Sequence, residues 1–370
     1  MKYTPFIFAF VMLLSLITYV VIRGYQALSA VSILKNIYAV LLIGQFILFM
    51  FVTFFGSTIP MPGAKAINSL SHSFFTLLVY LFFSLLLIDI ILVINYFIHF
   101  IPVVSTFRFW SFLLLILTIS VTLAIGNYRF FHPQTVTLNI TAEKPLQHKK
   151  IKIVAVSDVH LGVSIDKKQL QCYVNLINAQ QPDLVLIGGD LIDRSIKPVI
   201  AQQMDEELRQ IKATLGVYAV LGNHEYYGES LDAATDFYKK SGINLLKDSV
   251  VSVNNQFYIA GRDDKTNPRR EELKTVLQYA DKEKPILLID HQPANLNDAF
   301  ANNIDFQFSG HTHNGQFFPG NLIVKKIFEL GYGYMKKGKT NYYVSSGLGI
   351  WGPKFRIGTQ SELVVINFSY

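Results

Sequence analysis

Four long apolar stretches fill the first 128 residues and constrain whatever else this chain builds. Residues 5–22, 36–64 and 109–128 carry no charged side chain, and 73–100 carry only Asp89. A helix needs about 20 mostly apolar residues to cross a bilayer, so four spans are predicted at about 5–23, 36–56, 73–98 and 109–127. The lipid bilayer is thus the first partner expected. "ALSA" after the first stretch has the look of a signal-peptide cleavage site. Its 18-residue core is long for that role and three more spans follow, so an anchor is expected. An ionisable group inside a span is costly. For Asp89, with Asn95 and His99 near it in sequence, a polar contact between spans is the expected role.

Charge divides the chain at the same place. Residues 1–150 hold nine Lys/Arg and two Asp/Glu, which leaves 24 of each for residues 151–370. The formal charge of +7 therefore belongs to the apolar half, and the balanced remainder gives no reason to expect a nucleic-acid partner. After four crossings the C-terminal region shares a side with the N-terminus. That side carries Lys2, Lys65, Arg129 and Lys144 against Arg23, Lys35 and Arg108 opposite, which leans towards a cytoplasmic face. The lone cysteine, Cys172, lies in a helical pattern and is expected to be a buried structural thiol.

The organisation that follows is a transmembrane domain over 1–128, an edge strand and linker over 129–150, and a further domain over 151–370. From residue 151 the texture becomes short apolar runs alternating with polar helical stretches at 167–180, 198–214, 231–241 and 269–280. "IKIVAVS", "DLVLIGG", "GVYAVLG", "PILLID", "IDFQFSG", "NYYVSSG" and "ELVVINF" read as strands of an α/β domain, several apolar on both faces.

Chemistry gathers where those strands end. "IVAVS" runs into Asp158 and His160, "LVLIGG" into Asp190, with Asp193 and Arg194 behind it, and "YAVLG" into Asn223 and His224. "PILLID" ends at His291, and "DFQFSG" at His311 and His313. In an open α/β sheet the carboxyl ends of the strands form a rim where sites are built. Carboxylate, imidazole and amide oxygen without thiolate suit Mn, Fe, Zn or Ni in a reactive site rather than a structural zinc. Seven such donors exceed the needs of one ion and suit two ions that share a carboxylate, about 3.5–4 Å apart.

The ordered blocks "DVH", "GDLIDR", "GNHE", a lone His and "GHTH" resemble the calcineurin-like metallophosphoesterase superfamily. "GHTHNGQ" together with "SSGLGIWGPKFRIGTQSE" is similar to its membrane-associated bacterial subgroup. The resemblance implies an α/β four-layer sandwich, two mixed sheets flanked by helices, placed at a bacterial inner membrane. It implies that Asp158, His160 and His313 hold one divalent cation, that Asn223, His291 and His311 hold a second, and that Asp190 bridges both. Manganese is the first expectation, with Fe, Zn or Ni as alternatives. It further implies that His224 stands beside the scissile group, supported by Asp193 and Arg194, while a metal-bridging hydroxide attacks phosphorus. The substrate expected is a phosphodiester or pyrophosphate, such as that of the lipid-linked nucleotide UDP-2,3-diacylglucosamine in lipid A synthesis. A phosphomonoesterase or protein phosphatase is the alternative, and a non-catalytic membrane scaffold is disfavoured by the full ligand set.

Two local patterns are set aside. "GNHEYYG" starts like a zincin HExxH, but Gly228 stands where the second histidine belongs. "GLGIWG" fits a dinucleotide fingerprint, yet Pro353 follows and too little chain remains for a βαβ unit. A glycine-rich loop is expected there instead, with Lys354 and Arg356 offered to an anionic substrate or standing as ordinary surface charges.

Overall fold

The computed structural model describes residues 4–55, 61–145 and 150–370. The chain divides into two compact units, one of Met1–Ile125 with Gly352–Lys354, the other of Gly126–Trp351 with Phe355–Tyr370.

The first unit is built from α1 (Thr4–Ala27), α2 (Ser32–Phe55), α3 (Met61–Ile98) and most of α4 (Val104–Phe131), whose residues from Gly126 on belong to the second. All four are long and apolar enough to cross a membrane. Their shared interior includes Val20, Phe74, Leu78, Leu81 and Phe112, while Val40, Tyr96 and Phe97 are at least 70% exposed. Helices apolar all round require an apolar surrounding, since water would penalise the outer face. Asp89 is not paired with Asn95 or His99. It accepts from the Tyr19 hydroxyl at 2.6 Å and pairs with Arg23 Nε at 2.7 Å, joining α3 to α1.

The second unit holds two six-stranded sheets. The first contains β1 (Gln134–Thr141), β2 (Lys150–Val156), β3 (Leu184–Ile187), β4 (Val217–Ala219), β5 (Asn244–Leu245) and β12 (Glu362–Ser369) in the order β1-β12-β2-β3-β4-β5. The second contains β6 (Ser249–Val253), β7 (Phe257–Gly261), β8 (Ile286–Ile289), β9 (Phe306–Ser309), β10 (Gly333–Lys337) and β11 (Thr340–Val344) in the order β10-β11-β9-β8-β7-β6. Strands β2, β3, β4 and β5 run parallel, as do β7, β8, β9 and β11, while β12, β6 and β10 supply antiparallel pairs.

The uninterrupted apolar runs are explained by what lies on each face. Side chains alternate along a strand. Ile153, Ala155, Leu184 and Leu186 point into a core shared with Ile259, Leu287, Ile289 and Phe308 of the other sheet. Their neighbours Val154, Val156, Val185 and Ile187 pack outward beneath α5 (Lys167–Ala179) and α9 (Leu231–Lys240). On the far side, Ala260, Ile286 and Leu288 are covered by α10 (Leu273–Val276) and α11 (Leu296–Ala301). Four layers result, two mixed sheets flanked by helices, so both faces of the interior strands had to be apolar.

Helix α5 places Leu170, Tyr173, Val174 and Ile177 on one stripe, and the Asp166 side chain caps it by accepting from Gln169 N at 3.1 Å. Cys172 falls off that stripe and is exposed, which corrects the expectation of a buried thiol. Residues 198–214 are not one helix. They form α6 (Lys197–Ala201) and α7 (Asp205–Leu208), broken where Gln203 takes a φ of 52°. Only the short α10 forms within 269–280. The β6–β7 hairpin was hidden in "SVVSVNNQFYIAG". Asn254 and Asn255 both adopt positive φ, the backbone a tight hairpin turn demands. Among the described residues there are also α8 (Asn223–Tyr226), α12 (Gly320–Ile327) and a 3-10 turn at His313–Gly315.

Candidate metal centre

The donors come from two sheets, not one. Asp158 and His160 follow β2, Asp190 follows β3, and Asn223 opens α8 just after β4, all from the first sheet. His291 follows β8, and His311 and His313 follow β9, from the second sheet. Parallel strands put these ends on one side of each sheet, and the sandwich brings the two rims together. Beyond the strands the ladder continues into the loops. Asp158 N donates to Gly189 O, His160 N to Asp190 O and Gly310 N to His291 O, at 2.9–3.0 Å. These bonds carry the rigidity of the sheets out to the side chains.

The loops pay a conformational cost to aim those side chains inward. Asp158, His160, Asp190, His311 and His313 all have φ between 48° and 71°, the left-handed region that disfavours any side chain with a Cβ. Each such residue costs about 1–2 kcal/mol and persists only where its surroundings over-determine it, a pattern concentrated at functional sites. Two glycines permit the approach of neighbouring chains. A Cβ on Gly222 would fall 2.1 Å from Asp190 Oδ1, and one on Gly310 would fall 2.3 Å from Asp158 Oδ2.

Within this frame three overlapping groups have ligand atoms within 4.8 Å of one another: Asp158/His160/His313, His160/Asp190/His224 and Asp158/Asp190/His291. His313 Nε2 lies 3.4 Å from Asp158 Oδ1 and 3.1 Å from His160 Nε2. On the other side, Asn223 Oδ1 lies 2.7 Å from His311 Nδ1 and 3.2 Å from His291 Nε2. Asp190 stands between, its Oδ2 at 3.3 Å from His291 Nε2 and 3.8 Å from His160 Nε2. All but His311 of these seven are buried, and His311 is partly exposed.

Burial sets the protonation of the set. It pushes the His160 and His311 imidazoles down to about 4 and holds His313 well below its ordinary value, so each is a neutral ring with a free lone pair. Burial also pushes Asp158 up to about 6, against the nearby His291 ring. Burial opposes the charged forms of Asp190 and His291 as well, but their mutual attraction wins. Asp190 is held well below the usual carboxylate range and His291 well above the usual imidazole range. His291 Nδ1 lies 2.7 Å from Gly188 O, which makes Nδ1 the donor there and turns Nε2 towards Asp190 and Asn223.

These residues fit divalent cations. Two neutral imidazoles face each other through Nε2 at 3.1 Å while the buried Nδ1 atoms of both rings have no hydrogen-bond partner. One proton between the two Nε2 atoms still leaves buried ring nitrogens unpaired, which is costly unless a shared electrophile takes the lone pairs. The donor chemistry, imidazole with carboxylate and one amide oxygen, is that of divalent first-row metals.

Around the ligands stand the residues expected to support them. His224 Nδ1 lies 3.0 Å from Asp193 Oδ1, and its backbone N–H donates to Asp190 Oδ1 at 2.9 Å. Burial lowers the His224 imidazole, but Asp193 and Asp190 together more than offset this and hold it above its ordinary value. Arg194, at φ 56°, stacks its guanidinium over the Tyr227 ring at 5.9 Å.

Arg356 is a correction. Expected to meet substrate, it is instead fully buried. It donates to His313 O at 3.2 Å, Gly347 O at 3.0 Å, Gly349 O at 2.6 Å and Ser361 Oγ at 3.2 Å. A guanidinium with no exposed surface, and with four of its five N–H groups given to three carbonyls and a hydroxyl, is closed off from a phosphate. It props the "GLG" loop against the metal-ligand loop. Lys354 is partly exposed and groups with the helical unit.

Two further acids escaped the sequence reading. Glu225 accepts from Ile192 N, Gly222 N and the Tyr238 hydroxyl, which ties the loop of Asn223 to that of Asp190. Glu362 accepts from Ser346 N, Ser345 Oγ, the Tyr332 hydroxyl and the Tyr343 hydroxyl. Glu225 was visible as the last residue of "GNHE". Nothing in the sequence singled out Glu362, which sits at the start of an apolar strand.

A family model described as calcineurin-like phosphoesterase matches residues 151–315. An uncharacterized metallophosphoesterase of Aquifex aeolicus is 33% identical over 236 residues, 62% of this chain and 88% of that protein. Another from Campylobacter jejuni is 32% identical over 260 residues, covering 69% of this chain and 68% of its own length. A transmembrane protein with metallophosphoesterase domain from Danio rerio is 30% identical over 276 residues, 69% of this chain and 63% of that one. With the five ligand-bearing loops in place on a double-sheet sandwich, this chain belongs to the calcineurin-like metallophosphoesterase family.

Proposed function

We propose that this protein is a membrane-anchored phosphoesterase that hydrolyses a phosphodiester or pyrophosphate bond in a lipid-linked substrate. A nucleotide lipid of the UDP-2,3-diacylglucosamine type is the substrate class it suits. The observation that carries this reading is the convergence of Asp158, His160, Asp190, His291 and His313 in overlapping groups of ligand atoms. Two ions fit better than one, with Asp190 between the Asp158/His160/His313 set and the Asn223/His291/His311 set. Manganese suits the donors, and so do Fe, Zn and Ni.

When bound, a pair of divalent cations supplies Lewis acidity and a hydrolytic nucleophile at neutral pH. The chain's own residues do the rest. His224 keeps its Nδ1 on Asp193 and offers Nε2 to the leaving oxygen, so Asp193 holds the proton-donating form in place. Glu225 keeps the Asn223–His224 turn in register with Asp190. By the excess of basic residues on the shared side, the catalytic unit faces the cytoplasm of a bacterial cell membrane.

The test is hydrolysis of an aryl phosphodiester by detergent-solubilised protein with Mn²⁺, followed by UDP-diacylglucosamine. Asp158→Ala and His291→Ala should each lower turnover by about 10³-fold, equivalent to about 4 kcal/mol of transition-state stabilisation. Wild-type rates in both variants would refute the assignment.

A further inference from the structure

Helix α12 (Gly320–Ile327) reverses the usual rule for a surface helix. It has no buried residue, although four of its eight residues are aliphatic. Leu322 is 55% exposed, Ile323 58% and Ile327 68%. At about 100° per residue these three span one side of the helix, and Lys326 falls among them with Lys325 alongside. A surface helix normally turns such a stripe to the core. Here it faces outward, and an apolar patch of this kind marks an interaction site. Phe318, just ahead of the helix, and Trp351, whose carbonyl accepts from Gln316 Nε2 at 3.0 Å, are each about half exposed and extend the patch.

The charges beside the stripe indicate what covers it. Neither Lys325 nor Lys326 has an ion-pair partner among the described residues, whereas neighbouring Lys337 is paired with Glu329 at 3.1 Å. Apolar side chains flanked by unpaired lysines and an indole are the composition of a helix lying in a bilayer interface. Its aliphatic face dips among acyl chains while the lysine stems snorkel to anionic headgroups. A protein partner of matching shape would need carboxylates opposite both lysines. A lipid surface supplies the negative charge without a fitted shape, and the chain already carries four helices able to span a bilayer.

The helix also borders the metal centre. A cavity of about 400 Å³ is lined by Asn314, Leu322, Lys325, Phe328 and Tyr332, and the Phe328 ring meets that of His311 edge-on at 6.4 Å between centroids. We propose that α12 is an interfacial docking element that rests in an anionic lipid surface and so holds this cavity, and the ligands behind it, at headgroup depth. This deepens the lipid-linked reading of the site, but its readout is depth rather than turnover, so either can fail while the other stands.

The test uses the full chain with Cys172→Ser and Ile323→Cys, spin-labelled at residue 323 and reconstituted in phosphatidylethanolamine vesicles containing phosphatidylglycerol. Labels at Val40, exposed on a span, and at Asp232, exposed on α9, serve as lipid and water references. Oxygen should relax the label at 323 several-fold more effectively than a water-soluble nickel chelate, as at 40 and unlike 232. Lys325→Glu with Lys326→Glu should move the label towards the aqueous value. Nickel access at 323 equal to that at 232 overturns the proposal. So does spin–spin broadening that disappears on dilution with unlabelled protein, since the cover would then be a second copy. An unchanged depth in the double lysine variant overturns the headgroup contact.

Discussion

Asp89 of the helical unit and Asp190 of the sandwich are both largely withdrawn from water, and their surroundings differ in one respect. Asp89 of the helical unit is closed on itself, its carboxylate taken by Arg23 at 2.7 Å and Tyr19 at 2.6 Å. Asp190 of the sandwich sits among the imidazoles of His160, His224 and His291, and beside it the His160 and His313 Nε2 atoms stand 3.1 Å apart while both buried Nδ1 atoms lack a hydrogen-bond partner. The first group is complete, so it joins two helices. The second has donor atoms left over, which fits it for a cation. Arg356 belongs with the first kind, since it is fully buried and four of its five N–H groups are already taken. Satisfied buried charge is structural, and a surplus of buried donors of lone pairs is a site.

That contrast can be broken most forcefully at Arg356. Arg356→Met leaves three carbonyls and the Ser361 hydroxyl without their donor, and should cost on the order of 3–5 kcal/mol, read from denaturant midpoints of the solubilised protein. A changed KM with unaltered stability would return Arg356 to the substrate. Next is Asp193→Asn, which removes the carboxylate that orients His224 and raises its pKa. Turnover should fall by roughly 10–100-fold, and the alkaline limb of the pH profile should move to lower pH, because His224 then loses its proton sooner. A fall in rate with an unmoved limb would leave Asp193 only a packing role.

Metal uptake sharpens the point about surplus donors. His291 is held protonated by Asp190, so a cation must displace that proton. Affinity for Mn²⁺ should therefore rise with pH, by up to about tenfold per pH unit for one proton released, and calorimetry in buffers of different ionisation heat should count the protons. Uptake independent of pH would mean that His291 is neutral without metal. The smallest effect belongs to Asp89→Asn. An amide still accepts from Tyr19, so phosphodiesterase activity should stay within about twofold while thermal stability falls slightly. A loss of activity like that of Asp158→Ala would show that the closed cluster in the spans is more than structural.

Much of this was legible in the primary structure because it depends on local pattern. Apolar length alone marks the four helices, and strand-end Asp, Asn and His mark the ligands, since a parallel strand delivers its next residue to the rim whatever its partners are. The β6–β7 hairpin could have been found at Asn254–Asn255. Cys172 could have been placed by counting the α5 stripe from Leu170. Gln203, which breaks the expected helix over 198–214, gave no such sign, because glutamine has no special claim on positive φ.

The amino-acid order by itself determined which residues would be donors, and that they would stand at the ends of apolar strands. Only the tertiary structure decided that two sheets, rather than one, would bring them face to face. It also decided that five of them would be held in left-handed backbone to aim inward, and that Arg356 would be walled in while Leu322, Ile323 and Ile327 stayed outside. Strand and helix periodicity record which way a side chain points relative to its own element, but exposure depends on what arrives from elsewhere to cover it.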